Sequence, residues 1–322
     1  MKSNKKFTIV EVIFAAVLAV FLVLTLVKCN KEEDIKPNTE IQGFKAVEKL
    51  STALPVGWTR YMYVDKTDTT NFTVLSRYCK DNKIQGLYFY STSSIIDNQA
   101  NWISWGNKMK VLSDSGVTVR AVAMGSPSRI TSTGSLTRYN KAQTDSSKLV
   151  NRYNLENEFW NNATSYSNWI SQMSTIYSAR NSSDFYIGWF KNLGTKPDTI
   201  AAKEMIQNSA RVLIHAYQPN MPSASYLRSR FEVFAKGGRQ ANEKVRFYII
   251  VSTEQKAWGA QNDFSGNILR SYGSYDTFEA ALYNNTILPA INALPSDLKQ
   301  RVEIAGVIYF TKRYNYRAIP PR

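Results

Sequence analysis

The chain has 322 residues, with 40 Lys and Arg against 25 Asp and Glu, one His and two Cys, and a formal net charge of +15. Hydrophobic residues make up 43% and aromatics 13%, which excludes a disordered chain and supplies a large core without disulfides. One His and two Cys cannot build the usual nitrogen and sulfur ligand sets, so zinc, iron–sulfur and haem sites are excluded and no metal or cofactor is expected.

The chain opens with Lys2, Lys5 and Lys6 ahead of an apolar run from Val12 to Val27, interrupted only by Thr25. A charged stretch followed by an apolar one is the pattern of an export signal. Sixteen helical residues rise about 24 Å, short of the roughly 30 Å hydrocarbon core, which favours a signal over a span. Leu26-Val27-Lys28-Cys29 followed by the acidic Glu32-Glu33-Asp34 resembles a bacterial lipoprotein cleavage site, with Cys29 as the lipidated residue and Lys28 where a small residue is usual. The expected organisation is a signal or membrane anchor over 1–29, a tether over 30–43 and one folded domain over 44–322. The membrane is therefore one expected partner, and the cell envelope the expected location. Without residues 1–30 the chain keeps 36 cations and 24 carboxylates, net +12, so the exported part is itself basic. That suits proximity to anionic polymers such as acidic glycans or a lipid surface. The cations are spread along the chain with no recognition motif, and no nucleic-acid partner is expected.

From residue 61 onward, short β-rich apolar runs alternate with amphipathic stretches. The runs fall at 61–65, 86–91, 117–124, 152–158, 185–190, 212–217, 245–253 and 302–310. Helices are expected at 70–82, 98–115, 165–180, 197–209, 225–236 and 277–294. Eight strand–helix repeats at intervals of about 25 to 35 residues, without a glycine-rich phosphate loop, predict an α/β fold with a single (β/α)8 TIM barrel rather than an open doubly wound sheet. No eighth outer helix is expected after the last strand; a short helix over 44–52 could cover that gap. The long connections after the third and seventh strands both belong to the C-terminal face, where such barrels keep their sites.

Chemistry concentrates on the fourth run, Tyr153-Asn154-Leu155-Glu156-Asn157-Glu158-Phe159-Trp160. Alternate residues of a strand share a face, so Asn154, Glu156 and Glu158 point one way and Tyr153, Leu155 and Asn157 the other. If Leu155 meets the helices, the carboxylates enter the barrel, where burial and like charge raise a carboxyl pKa toward that of a general acid. If the strand ends early, both are solvated loop residues. The sixth run carries the only histidine, His215, on one face with Tyr217, a pattern that a packed core histidine also satisfies. Glu254 ends the seventh run. Trp160, Trp258, Tyr90 and Phe310 place aromatic rings near strand ends, where they suit the apolar faces of sugars or simple rim packing.

The run Asn154-x-Glu156-x-Glu158 resembles the Asp-x-Asp-x-Glu run on strand four of family 18 glycoside hydrolases, the chitinases and endo-β-N-acetylglucosaminidases. His215-Ala216-Tyr217-Gln218 stands where that family has Met-x-Tyr-Asp, and Phe310 near where strand eight presents a Trp. The resemblance implies Glu158 as proton donor and Glu156 as support for a substrate N-acetyl group. A second resemblance is to retaining glycosidases with acids on strands four and seven. There Asn157-Glu158, His215-x-Tyr217 and Glu254 imply Glu158 as acid/base, Glu254 as nucleophile and Asn157 as a sugar 2-hydroxyl ligand. Both imply an exported glycosidase acting on a polysaccharide or other glycan. A barrel that binds glycan without cleaving it and a basic structural envelope lipoprotein are the alternatives.

Overall fold

In a computed structural model of the protein, the described residues are 53–65, 71–124, 127–155, 166–180, 184–187, 198–216, 221–253, 256–257, 261–262, 265–310, 316 and 319–321. All lie in a compact unit spanning Leu50–Arg322. The expected signal, Cys29, the tether and the 44–52 helix lie outside the described residues. None of the described helices is long and apolar enough to cross a membrane.

Eight parallel strands close into a barrel. They are β1 (Thr59–Asp65), β2 (Gly86–Tyr90), β3 (Val119–Met124), β4 (Arg152–Leu155), β5 (Asp184–Ile187), β6 (Arg211–His215), β7 (Val245–Ser252) and β8 (Val302–Phe310). Sequential strands are neighbours, and β8 returns to β1 through the pairs Thr59↔Gly306 to Met62↔Tyr309. That seam depends on one glycine. Gly306 has φ of +154° beside a register shift in β8, and a Cβ there would stand 1.8 Å from the Thr59 carbonyl oxygen.

Strand alternation divides the apolar residues into two populations. Met62, Val64, Leu87, Phe89, Val122, Tyr153, Val212 and Ile249 pack outward against helices. Tyr61, Tyr63, Tyr88, Ala121, Leu213, Tyr248, Ile250 and Ile308 fill the inside. Large rings on β1, β2 and β7 share this space with Ala121, Ala123 and Ala305, so the interior is packed rather than hollow. Gly86 belongs to the same fit, because a Cβ there would lie 2.4 Å from the Tyr61 ring.

The expected helices form as α1 (Phe72–Asp81), α2 (Trp102–Asp114), α4 (Tyr166–Arg180), α5 (Asp198–Gln207), α6 (Ala224–Ala241) and a last helical stretch. Asn71 caps α1 by accepting from the Val74 N–H at 3.1 Å, and Ser223 caps α6 by accepting from Tyr226 at 3.2 Å. The long connections contain two further helices, α3 (Ser135–Ala142) and α7 (Ser265–Tyr272). The last stretch is α8 (Tyr275–Leu282), a π turn at Tyr283–Ile287 and α9 (Leu288–Asn292). Pro289 lacks an N–H and would crowd the carbonyl four residues back, and the wider π turn before it lets the helix run on.

One buried ionic cluster ties the N-terminal end of the barrel to α8. Arg60, pointing outward from β1, donates to both Glu279 oxygens at 2.6 and 2.8 Å, to Asp276 at 2.7 Å and to the Asn82 carbonyl. Glu279 is fully buried and also accepts from Trp58 Nε1 at 2.8 Å and the Tyr309 hydroxyl at 2.9 Å. Burial alone would lower the Arg60 pKa, but the two carboxylates outweigh it and hold the guanidinium more firmly protonated than usual. The cluster lies at the barrel's structural end, away from the mouth.

Candidate functional site at the C-terminal mouth

The strand ends of β1, β2, β4, β6 and β8 supply the described mouth. Tyr90 and Phe310 stack there, with centroids 5.7 Å apart and planes 29° from parallel, and both remain partly exposed. Tyr63 lies beneath them. Its ring meets the Phe310 ring at 5.3 Å and that of Tyr90 at 6.3 Å, and it is 1% exposed. The result is an aromatic surface on a rigid support.

Local backbone features hold the two outer rings. Thr253 donates from its hydroxyl to the Phe310 carbonyl at 2.9 Å, and its N–H reaches the same oxygen, locking the end of β8 to the end of β7. Immediately after Tyr90, Ser91 adopts φ of +57°, a left-handed turn uncommon outside glycine, so the chain leaves β2 abruptly and Tyr90 stays at the rim.

Asn154 lies inside the barrel with no exposed surface, and its Nδ2 donates to the Tyr63 hydroxyl at 2.8 Å. Tyr153 packs outward with the helices. The parity expected from the sequence therefore holds for Tyr153 and Asn154. Lower in the interior the hydroxyls of Tyr61 and Tyr248 are 3.1 Å apart, the rings stack at 4.9 Å, and Thr59 Oγ1 lies 2.8 Å from the Tyr248 oxygen. Burial pushes the Tyr248 phenol above its ordinary pKa, while the Arg211 guanidinium, 5.5 Å from the ring centroid, opposes that rise.

His215 ends β6 on the parity of Leu213, which faces the interior, and its Nε2 is buried. Burial first, and the positive charge of Arg230 second, hold its pKa well below the ordinary histidine value. The imidazole is neutral at pH 7 and can both donate and accept. Arg230 belongs to α6, where its guanidinium carbon lies 3.4 Å from the Tyr226 ring centroid.

Of the residues expected at the site, Tyr90 and Phe310 come into contact, Asn154 bonds the hydroxyl of Tyr63, whose ring meets both, and His215 takes the inward parity at its strand end. Glu156, Asn157, Glu158, Trp160, Tyr217, Glu254 and Trp258 lie outside the described residues. Two mouth residues were not anticipated, Tyr63 and Asp65. The signal was available in the first run, where Tyr61, Tyr63 and Asp65 follow a period of two. Among the described residues no three His, Cys, Asp or Glu side chains gather closely enough to hold a metal ion.

No known protein family and no curated protein matches the chain. Among solved structures, a D-psicose 3-epimerase crystallised in the presence of D-fructose is similar at 9% identity, with 79% of this chain and 84% of that one covered and a TM-score of 0.38. A likeness at that level carries no functional information. The closed order of eight parallel strands by itself defines the TIM-like barrel.

Proposed function

We propose that the protein is an exported, carbohydrate-active barrel that lays a sugar ring on the Tyr90–Phe310 surface and cleaves a glycosidic bond with Glu158 as general acid. The supporting observation is the stacked, partly exposed ring pair at the mouth of a closed barrel, since aromatic faces match the C–H faces of sugars. Glu158 enters through spacing. Asn154 faces inward, and residues two and four positions further along a continued strand share its side. The finer reading, of family 18 type with Glu156 supporting a substrate N-acetyl group, rests on the run Asn154-x-Glu156-x-Glu158. Attack by Glu254 is its competitor. Anchoring through Cys29 would place the barrel at the cell surface.

One observation favours a barrel that binds glycan without cleaving it. Position 154 carries an amide that is already bonded to Tyr63, where the resembled run has an ionisable carboxyl group.

The test compares wild type with Glu158→Gln on chromogenic glycosides and chitin oligomers. Loss of turnover by about a hundredfold or more with binding retained is expected for a general acid. Equal turnover by both proteins removes Glu158 from that role, and binding without turnover by either selects the binding reading.

A further inference from the structure

We propose that the α1–α2 face of the barrel docks on an anionic lipid surface, with Ile103 and Val111 entering the headgroup layer and the cations beside them meeting lipid phosphates. The surface lies on the side of the barrel, and it stands whether or not the mouth takes a glycan.

Among the described residues four large apolar side chains are well exposed, Val56, Ile103, Val111 and Ile200. Scattered singly, such residues are ordinary surface. Ile103 and Val111 are not scattered. Both belong to α2, eight residues and about 12 Å apart along its axis, so with Asn107 between them they line one face. The opposite face buries Trp102, Trp105, Met109 and Leu112 in the core, which leaves the helix no freedom to turn the exposed pair inward. Ile103 is 79% exposed, and Phe72 of α1 lines the groove beside the pair.

Cations border this apolar strip on both flanks. Lys108 Nζ lies 5.2 Å from the Phe72 ring centroid, at the groove. On the other flank the Lys148 stem runs beside Gly106, where a Cβ would come 3.4 Å from Lys148 Cδ, and Lys110, four residues after Gly106, shares that side. Arg77, one turn past the groove residue Thr73, is exposed on α1. The acids are placed to interfere little. Asp81 and Asp114 are the last residues of their helices, Asp114 is bonded to Lys110 at 2.8 Å, and Asp145 accepts from the N–H and hydroxyl of Ser147. An apolar strip between lysines suits a helix lying in the headgroup region, where the stems cover apolar surface and the charged ends reach phosphate.

The chain's own N-terminal part selects a lipid as the occupant. The apolar run Val12–Val27, with three lysines ahead of it, is the expected membrane segment, and only residues 28–52 separate it from Ala53. Fully extended, that stretch reaches about 90 Å, so the barrel stays close to any membrane that the run or a lipid on Cys29 enters. A patch held so near needs little affinity of its own, because one anchor and one basic patch act together. The excess positive charge outside the first 30 residues draws the barrel to the same surface.

The experiment places the full-length chain in nanodiscs of phosphatidylcholine, alone or with about one third phosphatidylglycerol, and reads side-chain exposure by hydroxyl-radical footprinting. Ile103 and Val111 are expected to be oxidised about fivefold less in the anionic discs, the effect of one lysine at an anionic surface. Ile200 on α5, exposed to nearly the same degree as Val111, should keep one rate in both discs. Lys108→Glu should restore oxidation of Ile103 and Val111 in the anionic discs, and an unchanged Ile200 rate and melting temperature establish that this variant is folded. Equal oxidation of Ile103 in the two discs, or equal protection of Ile200, overturns the docking surface. Protection that appears without anionic lipid and rises with protein concentration assigns the face to a second copy and overturns it as well. A chain that associates with neither disc lacks the tether and overturns it too. None of these outcomes bears on Glu158 or the mouth, so the docking surface and the glycan site fail separately.

Discussion

The amide of Asn154 reaches across the inside of the barrel to the hydroxyl of Tyr63, a 2.8 Å bond between residues 91 positions apart on strands that are not neighbours. It joins the strand carrying the best catalytic sequence motif to the ring supporting the aromatic mouth. Both groups are buried, and a buried amide donor that loses its acceptor cannot turn to water.

Replacing Tyr63 by Phe keeps the ring contacts and removes only the acceptor. The expected loss of stability is about 1 to 3 kcal/mol, read from the midpoint of urea unfolding at an unchanged slope. A stability equal to wild type would mean that the bond contributes nothing to holding β4 against β1. Binding of sugars should change little, because Tyr90 and Phe310 still rest on that ring.

The Arg60–Glu279 cluster makes a sharper prediction. Glu279→Ala leaves a buried guanidinium with Asp276 as its remaining ion-pair partner and is expected to cost about 3 to 5 kcal/mol. The double change Arg60→Met with Glu279→Leu removes both buried charges, and its cost should be well below that of the single change. Chemical denaturation of the two variants and of Arg60→Met closes the cycle. Additive costs would show that the two charges do not act as a unit.

His215 sets an acid limit on stability, and it is the chain's only histidine. In the unfolded chain its imidazole takes up a proton near pH 6.5, whereas in the fold burial and Arg230 keep it neutral to well below that pH. The unfolded state thus binds the extra proton as pH falls from 7 toward 5, and stability declines over that window by up to about 1.4 kcal/mol per pH unit. His215→Gln should flatten the decline. An identical pH slope in wild type and variant would place the imidazole in contact with water.

Length, alternation of runs and the absence of a phosphate loop specified the barrel. The reason is local: a parallel strand buried on both sides must be apolar and β-rich, so each of the eight declares itself in the sequence. Two helices in the long connections did not. In α3 only Leu136, Thr137 and Tyr139 are buried, too short a stripe to stand out among polar neighbours. Tyr90 and Phe310 could be chosen singly as aromatic strand ends, but 220 positions separate them, and only closure of β8 onto β1 beside β2 makes them a stacked pair. The Asn154–Tyr63 bond and the pairing of Arg60 with Glu279 are likewise products of closure, because alternation fixes the side a residue faces and says nothing of what waits across the barrel. Net charge is a sum over the whole chain, and only the fold decides which groups the charges meet, as Arg129 meets Asp97 between two loops and Arg211 meets the Tyr248 ring between two strands.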